Sequence, residues 1–161
     1  LVTQGALSFA FVIAGQGPKA FGMPEMFAPS QNLKHHQFLE ASSLLITDGR
    51  YSGVTKGACI GHVTPEAFEG GAIGRLVDGD ILHFSLKENR LNVVDPVALA
   101  IGTISSYETV PERSGLVKER YEKMVERMGQ IAASNLMSDV TDAEKGCVPA
   151  AVDLRARKQL P

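Results

Sequence analysis

No tryptophan occurs in this 161-residue chain, and cysteine occurs only twice. Cys59 and Cys147 lie too far apart for a C-x-x-C or a Cys/His metal spacing. That speaks against a secreted disulfide scaffold and makes a reducing cytoplasm the default compartment. A surplus of one charge is also missing. The formal net charge is -2, and lysines and arginines are interspersed with carboxylates, which leaves no electrostatic case for nucleic acid or an acidic membrane. The apolar stretch Ala6–Ala14 is too short to span a bilayer and has no basic flank. There is no initiator methionine, and Leu1 suggests a piece of a longer or processed polypeptide.

An apolar share of 44% against 21% charged residues is that of a soluble globular protein, and the length suits one domain with a real core. Ala6–Ala14 reads as a buried strand ended by Gly15-Gln16-Gly17-Pro18. Gly22–Met26 reads as the start of a helical stretch, with Pro24 in its first turn. Ser42–Thr47 is a short apolar run with an abrupt polar stop at Asp48-Gly49-Arg50, the pattern of a buried strand feeding a loop. A short helix is expected over Val54–Val63, with Ser52 at or near its N-cap.

Further on, Asp78-Gly79 between Ile73–Val77 and Asp80–Leu86 predicts a β-hairpin. Lys87–Arg90 would extend it through Leu91–Val94 into a meander. Val117, Tyr121, Met124, Met128 and Ile131 recur at a helical period, so Ser114–Asn135 reads as an amphipathic helix before a weakly ordered tail. The division expected is a core to about residue 107 and a helical extension over about 108–161.

Two loops carry chemistry. One holds Glu25, a lone carboxylate in a Gly/Met/Pro-rich turn. The other runs from Thr47 to Gly57, a polar loop between a buried strand and the expected helix N-terminus, where free N–H groups suit an anion. The plainer reading is that Ser52 caps a helix and Asp48 closes a turn. The spacing fits neither a P-loop nor a G-x-S-x-G nucleophile elbow.

GMPEM at Gly22–Met26, TDGRYSGVTKG at Thr47–Gly57, GHVTPEA at Gly61–Ala67 and the Gly70–Asp80 segment ending in VDGD resemble the carboxy-terminal domain of the dihydroxy-acid and phosphogluconate dehydratase family. Residues 27–57 look most like its sugar-acid, xylonate-type branch. The resemblance implies an α/β fold, a swivelling β/β/α domain with a barrel-like mixed sheet and flanking helices. It implies a larger amino-terminal domain as partner, supplying the iron–sulfur cysteines and most ligands of a magnesium ion, and a homo-oligomer. Cys59 and Cys147 are not expected to bind the cluster. The family's metal-binding glutamate maps onto Glu25 and its catalytic serine onto Ser52. Val54 departs from the second glycine that many members carry, which bears on substrate preference.

The implied reaction dehydrates a 2,3-dihydroxy (sugar) acid to a 2-keto-3-deoxy acid. Magnesium would chelate the carboxylate and C2 hydroxyl, and a cluster iron would take the leaving C3 hydroxyl. Asp48, Arg50, Thr55 and Lys56 are candidate substrate contacts, each with a plain structural reading beside it: a turn, a salt bridge, a cap, a solvated lysine. His62 reads as a buried, hydrogen-bonded histidine. Adjacent His35 and His36 point in different directions on a helix and do not make a metal pair, and His83 falls inside the expected hairpin. The alternative from another class is a non-catalytic swivelling module that reuses the fold.

Overall fold

In the computed structural model, the described residues are 9–102 together with 118–120, 122–123, 126, 140–141 and 143–147. The structure is mixed α/β. Strands β1 (Phe9–Ile13), β2 (Ser43–Thr47) and β3 (Ala58–Ile60) form a parallel sheet in the order β1-β2-β3. Strands β4 (Ile81–Ser85) and β5 (Arg90–Val94) form a separate antiparallel hairpin. Among the described residues these two sheets do not close into a barrel.

Every residue of β2 is buried. A central strand of a parallel sheet is covered on both faces, so it reads as a continuous apolar run. Leu44 and Ile46 face a core shared with Ala67 and Ile73, against which Val12, Ile60, Leu82 and Phe84 pack. Leu45 points the other way, toward Ser30 and Leu33 of α2 (Phe27–Lys34). The β1–β2 crossover also carries α1 (Pro18–Phe21) and α3 (Gln37–Ser42), as parallel pairing requires. Helix α4 (Pro96–Ala100) follows the hairpin.

Several expectations are corrected. Strand β1 is an edge strand, not a buried one: Phe9 and Phe11 are 47% and 38% exposed. The helix near Gly22 starts later, at Phe27. Gly22 instead ends α1 in a left-handed C-cap, and the first-turn proline is Pro18. No helix follows Ser52. Residues 53–54 turn, Gly57 takes φ +93°, and Ala58–Ile60 pair with β2 as a strand. Weak helix propensity there yields to tertiary pairing.

Asp78-Gly79 does turn the chain, closed by Asp80 N–H to the Val77 carbonyl at 3.1 Å. It is preceded, however, by a 3-10 turn over Ala72–Arg75 rather than a strand. Ile73 and Leu76, three residues apart, both reach the core. The hairpin is made by the following turn, residues 86–89.

The apolar stripe Val117, Tyr121, Met124, Met128 and Ile131 lies outside the described residues. Lys118–Arg120, Glu122, Lys123 and Glu126 are helical. Arg120 donates to the carbonyls of Gly74 and Leu76 at 2.9 and 2.7 Å, tying this helix to the core. No helix among the described residues is long and apolar enough to cross a membrane.

Two buried carboxylates hold the strand-end loops. Asp48 is fully buried and accepts N–H groups from Gly15 (3.0 Å), Gln16 (2.8 Å) and Ala67 (2.9 Å). Glu66, also fully buried, accepts from Lys19 (2.9 Å) and Ala20 (3.2 Å) in the first turn of α1, where a carboxylate complements free amides. A buried amide left without its acceptor costs about 1–3 kcal/mol. Asp48→Ala orphans three and is expected to lower stability by at least about 3 kcal/mol in urea unfolding. Asp48→Asn, which keeps one acceptor oxygen, should fall in between. Wild-type stability in Asp48→Ala would show that these bonds do not organise the loops.

Candidate active site

All three parallel strands end at the same edge of their sheet, and the sequence motifs leave from those ends. Residues 14–26 follow β1, residues 48–57 follow β2 and residues 61–67 follow β3. The crevice beyond the carboxyl ends of parallel strands is where open α/β sheets bind ligands.

The Glu25 and Ser52 loops are bonded to each other through Arg50. Arg50 N–H donates to the Pro24 carbonyl (3.2 Å), and Met26 N–H donates to the Arg50 carbonyl (2.8 Å), making a parallel bridge between Glu25 and Arg50. The Arg50 guanidinium donates through Nε to the Met23 carbonyl (2.9 Å) and lies 3.7 Å through Nη2 from Glu25 Oε1. Both side chains of that ion pair are about half exposed, 53% and 42%, so it stabilises by less than about 1 kcal/mol. Its role is geometric: it sets the Glu25 carboxylate beside the serine loop.

Ser52 is half-buried and opens a turn. Its carbonyl accepts from Thr55 N–H at 3.1 Å and its Oγ from Val54 N–H at 3.4 Å. The expected helix dipole is therefore absent from its surroundings. Val54 is 62% exposed at the tip of the turn. Thr55 is half-buried, and its Oγ1 is shielded from solvent with no hydrogen-bond partner among the described residues. Lys56 is exposed. Asp48, whose carboxylate is occupied by three backbone amides, lies beneath the loop rather than at its surface.

Tyr51 anchors the turn, a role not visible in the sequence. Its hydroxyl donates to the Leu45 carbonyl at 2.9 Å. Its ring lies so close to Gly61 that a Cβ there would come within 2.9 Å of Cδ2, which is why the GHV motif opens on glycine. Burial first, and the nearby Cys59 second, push the Tyr51 phenol well above its ordinary pKa. It stays protonated and keeps donating.

His62 corrects its expectation: it is exposed, not buried, and its backbone takes φ +57°. His36 caps α3, its Nδ1 accepting from Leu39 N–H at 3.5 Å, and His35 ends α2. His83 lies on β4 opposite Asn92. A cavity of about 460 Å³ beside β1, lined by Ala10, Val12, Leu76, Leu82 and Arg120 among others, contains none of the predicted site residues.

Among the described residues no three His, Cys, Asp or Glu side chains converge. A hard cation needs several oxygens, so Glu25 fits as one contributor. A cluster takes several thiolates, and Cys59 and Cys147 are the chain's two cysteines. Burial pushes the Cys59 thiol up, toward the protonated form, and Cys147 Sγ sits 3.6 Å from Met23 Sδ.

A parallel sheet with interlocked loops at its strand ends defines an α/β domain whose candidate site lies beyond those ends. Comparison with known proteins narrows this. Residues 2–147 match the family described as dihydroxy-acid/6-phosphogluconate dehydratase C-terminal, and the chain belongs to it. A dihydroxy-acid dehydratase of Anaeromyxobacter dehalogenans is 37% identical over 144 residues, 89% of this chain and 23% of that protein. One from Akkermansia muciniphila is 54% identical over 83 residues, 51% of this chain and 15% of that protein. The chain thus covers less than a quarter of the length of these curated relatives.

The Cys59 environment is testable. A raised pKa leaves less thiolate at a given pH, so at pH 8 iodoacetamide should alkylate Cys59 several-fold more slowly in the folded chain than in urea. Peptide mass spectrometry reads the difference, and equal rates would contradict the placement.

Proposed function

We propose that this chain is the carboxy-terminal part of a hydro-lyase that dehydrates a 2,3-dihydroxy acid to a 2-keto-3-deoxy acid. The observation that supports this most directly is the bonding of the Glu25 loop to the Ser52 loop at the parallel strand ends. Family membership supplies the reaction class. The substrate we favour is a sugar acid, supported by the likeness of residues 27–57 to xylonate-type enzymes. The relatives named above are dihydroxy-acid dehydratases, so a substrate screen must hold both classes, with exposed Val54 as the feature bearing on the choice.

In this reading the chain is a cytoplasmic swivelling domain, with a core to about residue 107 and a helical extension, that closes over an amino-terminal dehydratase domain in a homo-oligomer. Ser52 Oγ takes the C2 proton as an alkoxide. Glu25 contributes one oxygen toward a magnesium ion, and Arg50 holds that carboxylate in place. Lys56, exposed on the same loop, attracts the anionic substrate. Thr55 Oγ1, without a partner, gains one from the substrate on closure. When bound, magnesium and the iron–sulfur cluster, whose ligands lie elsewhere, supply the Lewis acidity that binds the substrate oxygens and the departing C3 hydroxyl. Loss of the C2 proton and the C3 hydroxyl gives an enol that ketonises to the product.

A magnitude sets what Ser52 requires. A serine hydroxyl ionises far above neutrality, and every tenfold gain in alkoxide at pH ~7 needs about 1.4 kcal/mol of differential stabilisation. A helix N-terminus supplies at most about 2 kcal/mol, and the structure places no helix after Ser52. Only proximity to a cation stabilises an oxyanion by enough. Ser52 and Glu25 must therefore serve one metal. In a dehydratase with this chain as its carboxy-terminal part, Ser52→Ala is expected to lower kcat by at least about 10³-fold, the scale of a lost acid–base group or more, with the circular dichroism spectrum unchanged. Near-normal kcat would make Ser52 a turn residue only.

A further inference from the structure

Position 62 lies in the left-handed region, at φ +57°, where a side chain crowds the backbone and glycine is favoured. The chain meets the same requirement with glycine at Gly22, Gly57 and Gly70. Three other non-glycine residues among those described share this region: buried Met23, half-buried Cys147, and Asn89 in the β4–β5 turn, where asparagine is well tolerated. His62 has no such turn to explain it. It is exposed, so burial does not compensate, and its ring has no hydrogen bond or ion pair among the described residues.

The backbone around it is nonetheless fixed. His62 N–H donates to the Gly49 carbonyl at 2.9 Å, and Val63 N–H donates to the Thr47 carbonyl at 3.2 Å. Gly61, next to it, lies beneath the Tyr51 ring. The His62 backbone is thus held, at a conformational cost, against Gly49, which leads into the segment that carries Arg50, Tyr51 and Ser52. A neutral imidazole offers an N–H donor and an acceptor, and a protonated one two donors. Either form suits the carboxylate or hydroxyl oxygens of a hydroxy acid.

We propose that His62 is a substrate-contacting residue, its imidazole hydrogen-bonding an oxygen of the hydroxy acid held at the strand ends. This rests on the dehydratase reading of the same loops and adds to it a residue whose side chain the fold does not require. The test compares His62→Gly and His62→Asn with wild type in a dehydratase with this chain as its carboxy-terminal part. Both replacements accept a left-handed backbone, so Tm should hold or rise. KM is expected to rise tenfold or more in His62→Gly and by less in His62→Asn, which keeps an N–H donor, with kcat changing less than KM.

Calorimetric binding of the products, 2-ketoisovalerate and a 2-keto-3-deoxy aldonate, requires no turnover and should weaken by the same factor. His62→Gly with wild-type KM and wild-type product binding would overturn the proposal. If His62→Gly does not fold, His62→Asn decides on the same two readouts. A wild-type enzyme that binds neither product would remove the dehydratase reading itself. Turnover surviving in Ser52→Ala would remove only the base assignment and leave the His62 binding result standing.

Discussion

The arrangement depends on one buried carboxylate. Asp48 ends the most deeply buried strand and gathers backbone amides from the loop after β1 and from the loop after β3. A buried charge is tolerated only when its hydrogen-bonding capacity is met, and here it is met by three amides from two other loops. That requirement fixes where three separate stretches of chain meet. Glu66 repeats the device one layer out, holding the first turn of α1 against the loop after β3.

From that junction the functional surface follows by short-range geometry. Arg50, two residues after Asp48, bonds to the backbone on either side of Glu25 and faces its carboxylate. Tyr51 reaches back to the Leu45 carbonyl and closes over Gly61. Some residues of the loop thus face inward as anchors and others outward. Asp48 and Tyr51 hold, while Arg50 and Ser52 are presented. Among the described residues no group of three His, Cys, Asp or Glu side chains that could hold a metal forms around Glu25.

What was legible in the sequence was what local pattern controls. The run Ser42–Thr47 announced a buried strand because its environment is apolar on both faces. The dehydratase motifs announced the family that residues 2–147 match. Long-range demands overrode local signals elsewhere. Residues 58–60 became a strand because β2 offered them a ladder, and Ile73 with Leu76 turned the expected strand into a 3-10 turn by both seeking the core. The partners of Asp48 and Glu66 lie 19 to 47 residues away, so no window of sequence reveals them. His62 was misread for a related reason. Exposure on a strand-end loop depends on what covers the loop, and nothing in Gly61–Ala67 encodes that.

The central claim is that these interlocked loops are one side of a dehydratase site. Turnover by wild-type enzyme tests it most directly. A dehydratase with this chain as its carboxy-terminal part, prepared anaerobically with magnesium, should convert 2,3-dihydroxyisovalerate or an aldonate to the corresponding 2-keto acid, detected by a keto-acid assay. The same preparation, folded and loaded with its cluster but forming no 2-keto acid from any member of either class, would contradict the claim.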